Sequence, residues 1–229
     1  VTGVPQHRDT ERTPVLRFTL IGSWSQLDLR SEDAAAASIR RYAEHLLGSD
    51  DAEATARALL RRSLHEGIST AREANAVSMF LAREISAGTA MPVILTVYAP
   101  SGLRMSPAVG TAPATVADSL EKGLTALAMD GIETATRLEI EGSAIVRVHH
   151  EREDPIHEAT PDLPMRKLMV DYWYTVPGSK QVVLVNFMTP MVELRDIMLG
   201  FFDSIVRASK FDSSDEPAAP SASSSATQE

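Results

Sequence analysis

Imidazole and carboxylate groups crowd one stretch of this chain, where His149, His150, Glu151, Glu153, Asp154, His157 and Glu158 follow closely on one another. Such side chains ligate zinc and other divalent ions, and His149 and His157 could converge if the chain folded back on itself. Against this, His149 and His150 close an alternating segment, and neighbours in a strand point to opposite faces. No His-Glu-x-x-His helix or other fixed ligand spacing accompanies them. A solvated acidic loop is the preferred reading, and no metal or cofactor is expected. Asp171 stands beside Tyr172 and Trp173, and a carboxyl among aromatics can have a shifted pKa and mark a pocket. An outward-facing strand residue explains Asp171 equally well and is preferred.

The remaining candidates are weaker. Gly22-Ser23 and Gly142-Ser143 sit at turns, and without a Gly-x-Ser-x-Gly elbow neither serine has the setting of a nucleophile. Neither a Walker pattern nor Gly-x-Gly-x-x-Gly occurs. Arg57, Arg61 and Arg62 could bind an anion, but a solvated helix face is the commoner use of such a run. Met188, Met191 and Met198 suit a core more than an adaptable groove. No residue is assigned a catalytic, cofactor-binding or metal-binding role.

The elements that must position these residues centre on Met165 to Phe211. Leu168, Val170, Tyr172 and Tyr174 alternate with Lys167, Met169, Asp171 and Trp173, the period of a half-buried strand. Pro177-Gly178 suits a type II turn, and Gln181 to Met188 is the returning strand. Thr189 is expected to cap a helix from Pro190 to Ala208. Met191, Leu194, Met198, Phe202 and Ile205 form its apolar stripe, widened by Ile197, Phe201 and Val206.

Upstream, Val15 to Ile21 and Trp24 to Leu29 are expected to form a hairpin or one bent strand, with Trp24 in the core or at its rim. Two helices follow, Asp33 to Leu47 ended by Gly48, and Asp51 to about His65 ended by Gly67, with Asp50 and Glu53 as a capping box. They form a helical insertion over about 33–67. Strands are expected at Ala76 to Ile85, Met91 to Ala99, Glu133 to Ile140 and Ser143 to His150, with a helix from Ala114 to Met129. Ser101 to Pro113 and Glu151 to Pro164 are expected to be loops. The arm 1–13 is expected to be loose and the Ser/Ala/Pro tail 212–229 disordered.

With 229 residues, 44% of them hydrophobic, one domain over 14–211 is the expected organisation. No apolar run approaches the roughly 20 residues of a membrane helix, and Val1 to Arg12 does not resemble a signal peptide. A soluble, cytoplasmic protein is expected, without membrane insertion. The absence of cysteine removes disulfides and thiolate chemistry. The formal net charge of −9 argues against a nucleic-acid partner and favours a basic one by steering.

The run Leu16-Arg17-Phe18-Thr19-Leu20-Ile21-Gly22-Ser23-Trp24, the strand and turn Tyr172-Trp173-Tyr174-Thr175-Val176-Pro177-Gly178, and Val183-Leu184-Val185-Asn186-Phe187-Met188-Thr189-Pro190 before a terminal helix together resemble the PsbP/Mog-type α/β/α family, in its small actinobacterial members. That resemblance covers roughly Pro14 to Phe211. It implies an α/β (α+β) fold, an antiparallel sheet sandwiched by helices, in a family that mostly binds other proteins. The chain departs from the lipoprotein members in lacking a lipobox cysteine, and it carries the larger helical insertion. The expected function is a non-catalytic protein-interaction module, an adaptor or chaperone for a secreted or assembled partner. The alternative is a small-molecule-binding or hydrolytic protein with a pocket near Asp171 and the 149–158 loop.

Overall fold

The computed structural model describes residues 14–86, 88–100, 103–105, 110–155 and 164–212; the side chains of 154, 155, 164 and 165 are not among those described. The expected arm 1–13, the tail beyond Asp212, His157 and Glu158 therefore lie outside the described residues.

The strands are β1 (Leu16–Arg17), β2 (Ser23–Leu27), β3 (Ala76–Ser86), β4 (Thr89–Tyr98), β5 (Thr136–Ile140), β6 (Ser143–Pro155), β7 (Pro164–Thr175), β8 (Val182–Thr189) and β9 (Lys210–Phe211). The helices are α1 (Glu32–Leu47), α2 (Ala54–Glu73), α3 (Pro113–Ala126) and α4 (Arg195–Arg207). Seven strands form an antiparallel sheet in the order β2-β3-β4-β8-β7-β6-β5, and β1 pairs with β9 in a separate ribbon. The chain is an α+β single domain whose sheet is packed against helices on both faces.

The alternation in β7 and β8 divides the sheet into two unlike faces. Leu168, Val170, Tyr172 and Tyr174 of β7 and Val183, Val185 and Phe187 of β8 point to one face, join Val93, Leu95 and Val97 of β4, and are all buried. α4 lies across this face through Met198, Leu199, Phe202, Ile205 and Val206. Phe202 stacks on Phe187 with ring centroids 4.4 Å apart. At about 1.5–3 kcal/mol per large apolar side chain, this layer supplies most of the driving force for the fold. Leu16, Phe18, Leu20 and Trp24 pack along its margin.

On the opposite face the cover is divided. α1 and α2 close over the β2–β3 end through Ile39, Leu64, Ile68 and Ala71 against Leu27, Met79 and Leu81. α3 closes over the β6 end through Val116, Ala117, Leu120 and Leu124 against Ala144, Val146 and Val148.

Several boundaries differ from expectation. The N-terminal segments form neither a hairpin nor one strand: β1 pairs with β9 and β2 with the edge of β3. Asp212 belongs to the fold, its N–H donating to Val15 O at 2.9 Å. α2 runs through Gly67 to Glu73, because Ile68 and Ala71 are buried against β3 and a single helical glycine costs only about 1 kcal/mol. Asn75, at φ +62, follows its end. The capping box is not formed: Asp50 has no side-chain cap and a short 3₁₀ turn precedes the helix. Thr189 ends β8 and accepts from Met191 N–H at 3.2 Å, so α4 starts only at Arg195, after another 3₁₀ turn. That delay rotates the apolar stripe, leaving Leu194 41% and Ile197 68% exposed while Leu199 is buried.

The most consequential correction concerns Glu151 to Pro164. β6 runs on to Pro155, and β7 begins at Pro164, with pairing maintained from Ile145↔Tyr174 to Pro155↔Pro164. β8 pairs with β7 only from Leu168 onward, so the end of the β6–β7 hairpin extends past it. Side chains there need no apolar alternation, and ion pairs such as Arg166 with Glu151 at 2.6 Å bridge the two strands.

Candidate functional site

Between the two helical covers, the centre of the sheet presents three cross-strand rows. Strand register sets Ile94, Met188, Met169 and His150 in one row; Thr96, Asn186, Asp171 and Val148 in the next; and Tyr98, Leu184, Trp173 and Val146 in the third. Ile94, Tyr98, Leu184, Met188, Met169 and Trp173 are half-buried, while every neighbour of theirs on the α4 side of β4, β7 and β8 between Leu95 and Val97, Leu168 and Tyr174, and Val183 and Phe187 is buried. A strip of apolar and aromatic side chains thus flanks a polar middle row.

The middle row is tied together. Asn186 Nδ2 donates to Asp171 Oδ1 at 2.7 Å, and Thr96 and Asp171 are only 3% and 8% exposed. Burial pushes the Asp171 carboxyl above the usual carboxylate range, although the Asn186 hydrogen bond and nearby His150 act the other way. Burial also pushes the Tyr98 phenol up, with the Asp171 charge adding to the effect. His150 Nδ1 and Trp173 Nε1 are buried without a hydrogen-bond partner among the described residues. Buried polar atoms are seldom left so. The strip therefore offers apolar area, a carboxyl that resists ionisation and two unengaged polar atoms, a combination suited to recognition.

No family model, no curated protein and no solved structure matches the chain.

The candidate side chains are dispersed. His149 and His150 point to opposite faces, as alternation requires. His149 lies on the α4 side, where burial first, and then the charges of Arg147 and Arg195, lower its pKa. Glu151 is engaged by Arg166, and Glu153 is exposed in the β6–β7 hairpin. Among the described residues no three His, Asp or Glu side chains gather where they could hold a metal ion.

Asp171 is not the outward-facing residue expected: it is buried and accepts a hydrogen bond from Asn186. Arg57 is neither solvated nor free for an anion: it is buried and donates to the carbonyls of Gly48, Ser49 and Asp50, fastening the α1–α2 connection. Arg61 and Arg62 pair with Glu44 and Glu66. Met198 is core, whereas Met188 belongs to the open strip. Trp24 sits at the core margin with its indole N–H donating to Ile21 O at 2.8 Å. Ser143 is buried and donates to Thr175 O at 2.6 Å, a structural role.

Thr96, Tyr98 and Asn186 escaped sequence reasoning. Asn186 carried a usable signal, a lone amide within Val183-Leu184-Val185-Asn186-Phe187, since an amide in a central strand needs a buried partner. Thr96 and Tyr98 carried none, because both are ordinary strand formers.

Proposed function

We propose that this chain is a non-catalytic protein-interaction module that receives a partner on the open strip between its helical covers. The observation that carries the reading is the half-buried set Met169, Met188, Leu184, Trp173 and Tyr98, arranged around Asp171 and Asn186. Aromatic and methionine side chains are enriched in interface cores, and methionine adapts its shape to what it meets. The acidic balance, −9 overall, favours a basic partner by long-range steering. The resemblance to PsbP/Mog-type proteins supports an adaptor or chaperone role. Among the described residues no helix is long and apolar enough to cross a membrane, and action in the cytoplasm is part of the same proposal.

Point substitutions test this better than removal of α1 and α2, which would uncover Leu27, Met79 and Leu81. A photo-crosslinker placed at Met169 should capture the partner, and Met169→Arg and Leu184→Arg should each abolish its recovery from the native host. Arg62→Gln, far from the strip, should leave recovery unchanged. Equal recovery with all three variants would refute the assignment of the surface.

A second reading has its own observation, the buried Asp171 carboxyl whose pKa is raised beside Asn186 and Tyr98. This row could instead hold a small molecule and act on it hydrolytically. A metabolite turned over by the wild type and spared by Asp171→Asn would favour this reading over the first.

A further inference from the structure

We infer that the cleft between α1 and the β2–β3 edge is a binding site for a small organic phosphate, separate from the open strip. The cleft is open to solvent, measures about 750 Å³ and is lined by Ser23, Ser25, Arg41, Tyr42, His45 and Arg83, among others. Ser38, Arg41, Tyr42 and His45 recur at helical spacing and so share one face of α1. Arg83 comes from β3, where the strand bulges against β2, and lines the cleft opposite α1. No Asp or Glu lines the cleft, in a chain whose acidic residues outnumber its basic ones, 31 to 22.

Neither arginine is tied up by a direct contact, although the charge of Arg41, after the hydrogen bonds of Arg30, reaches Asp28 and helps to lower its pKa. Among the described residues Arg41 and Arg83 have no ion pair and no hydrogen bond. Asp28, on the far side of Arg41 in the adjoining cleft, is held by Arg30 through three side-chain hydrogen bonds. Two guanidinium groups lining one cleft repel each other unless an anion lies between them, and guanidinium matches phosphate oxygens with paired hydrogen bonds. Burial raises the Tyr42 pKa despite the opposing charge of Arg83, so the phenol remains a donor, and the Ser25 hydroxyl adds another. Ser38 shapes the wall, since its hydroxyl donates to Ala35 O at 2.8 Å and accepts from Asp28 N–H at 3.2 Å. These groups lie along the C-terminal half of α1, where the helix dipole does not favour an anion, so the side chains themselves must supply the attraction. A volume within the usual range of small-molecule sites exceeds what inorganic phosphate fills, which points to a phosphomonoester.

The same chemistry could come from a free metabolite or from a phosphorylated side chain. Calorimetric titration of the full chain with glycerol phosphate, with a phosphoserine peptide and with its unphosphorylated twin separates the two. Saturable binding of either phosphorylated probe is expected, with the stronger one identifying the source and the unphosphorylated peptide inert. Arg41→Gln and Arg83→Gln should each weaken it by roughly tenfold or more, as loss of a charge-assisted contact implies, while Arg62→Gln binds like the wild type. Arg41 is exposed on α1, so its variant is expected to fold, and a thermal melt verifies this. Failure of both phosphorylated probes to bind saturably, or wild-type binding by both arginine variants, would overturn the proposal.

Discussion

Tyr172 donates its phenolic hydrogen to Asp203 Oδ1 at 2.7 Å, and Arg147 holds the other carboxylate oxygen at 2.6 Å. One helix, α4, is thereby pinned to two strands, β7 and β6, across the buried face. Burial, with the Asp203 charge beside it, pushes the Tyr172 phenol far above its ordinary range, so it remains a donor at any ordinary pH. Tyr172→Phe should lower stability by about 1.5–3 kcal/mol, the worth of a hydrogen bond to a charged group. In a double-mutant cycle with Asp203→Asn the two losses should fall short of additivity; denaturant unfolding curves measure both.

Phe202 is fully buried and stacked on Phe187, whereas Ile197 on the same helix is 68% exposed. Phe202→Ala should cost on the order of 3–5 kcal/mol, and Ile197→Ala should stay within about 0.5 kcal/mol of the wild type. A Phe202→Ala loss below about 1 kcal/mol would remove α4 from its place as the cover of the main core.

Two glycines should respond in opposite directions to alanine. Gly67 lies inside α2 with nothing within 4 Å of an added Cβ, so Gly67→Ala should stabilise by about 0.4–1 kcal/mol. Gly131 has φ +78, and an added Cβ would meet His149 O at 2.3 Å. Gly131→Ala should therefore destabilise by about 1–3 kcal/mol or more, and thermal melts of the two variants compare them directly.

Asp171 makes stability depend on pH in an unusual sense. Because burial raises its folded-state pKa, the folded chain holds this proton more tightly than the unfolded chain. The group's contribution is thus most favourable below the unfolded value of about 3.9, and it declines as pH rises through the folded value. Asp171→Asn, which cannot ionise, should gain stability relative to the wild type as pH increases across that window. Paired denaturation series from acid to neutral pH measure the difference, and a constant offset would show that Asp171 titrates normally.

Much of the fold was legible in local pattern. The period-2 alternation of Lys167 to Tyr174 assigned each side chain to its face, and Gly178, at φ +66 with Ser179 N–H bonded to Val176 O, makes the turn that Pro177-Gly178 required. Both follow from backbone sterics and side-chain period, which act over a few residues. What local pattern could not determine was which elements meet. β1 pairs with β9 although most of the chain separates them. β6 and β7 extend as strands through charged residues because each supplies the other's backbone partners. α2 continues through Gly67 because β3 waits beneath Ile68 and Ala71. The open strip has the same origin. Asp171 and Asn186 face each other across the β7–β8 hairpin, but Thr96 comes from β4, remote in sequence, and only the pairing of β4 with β8 sets it beside them. Whether Asp171 is solvated or buried depended on the side chains that its strand partners set around it, and burial of that kind is a property of the packed sheet, not of any stretch of its chain.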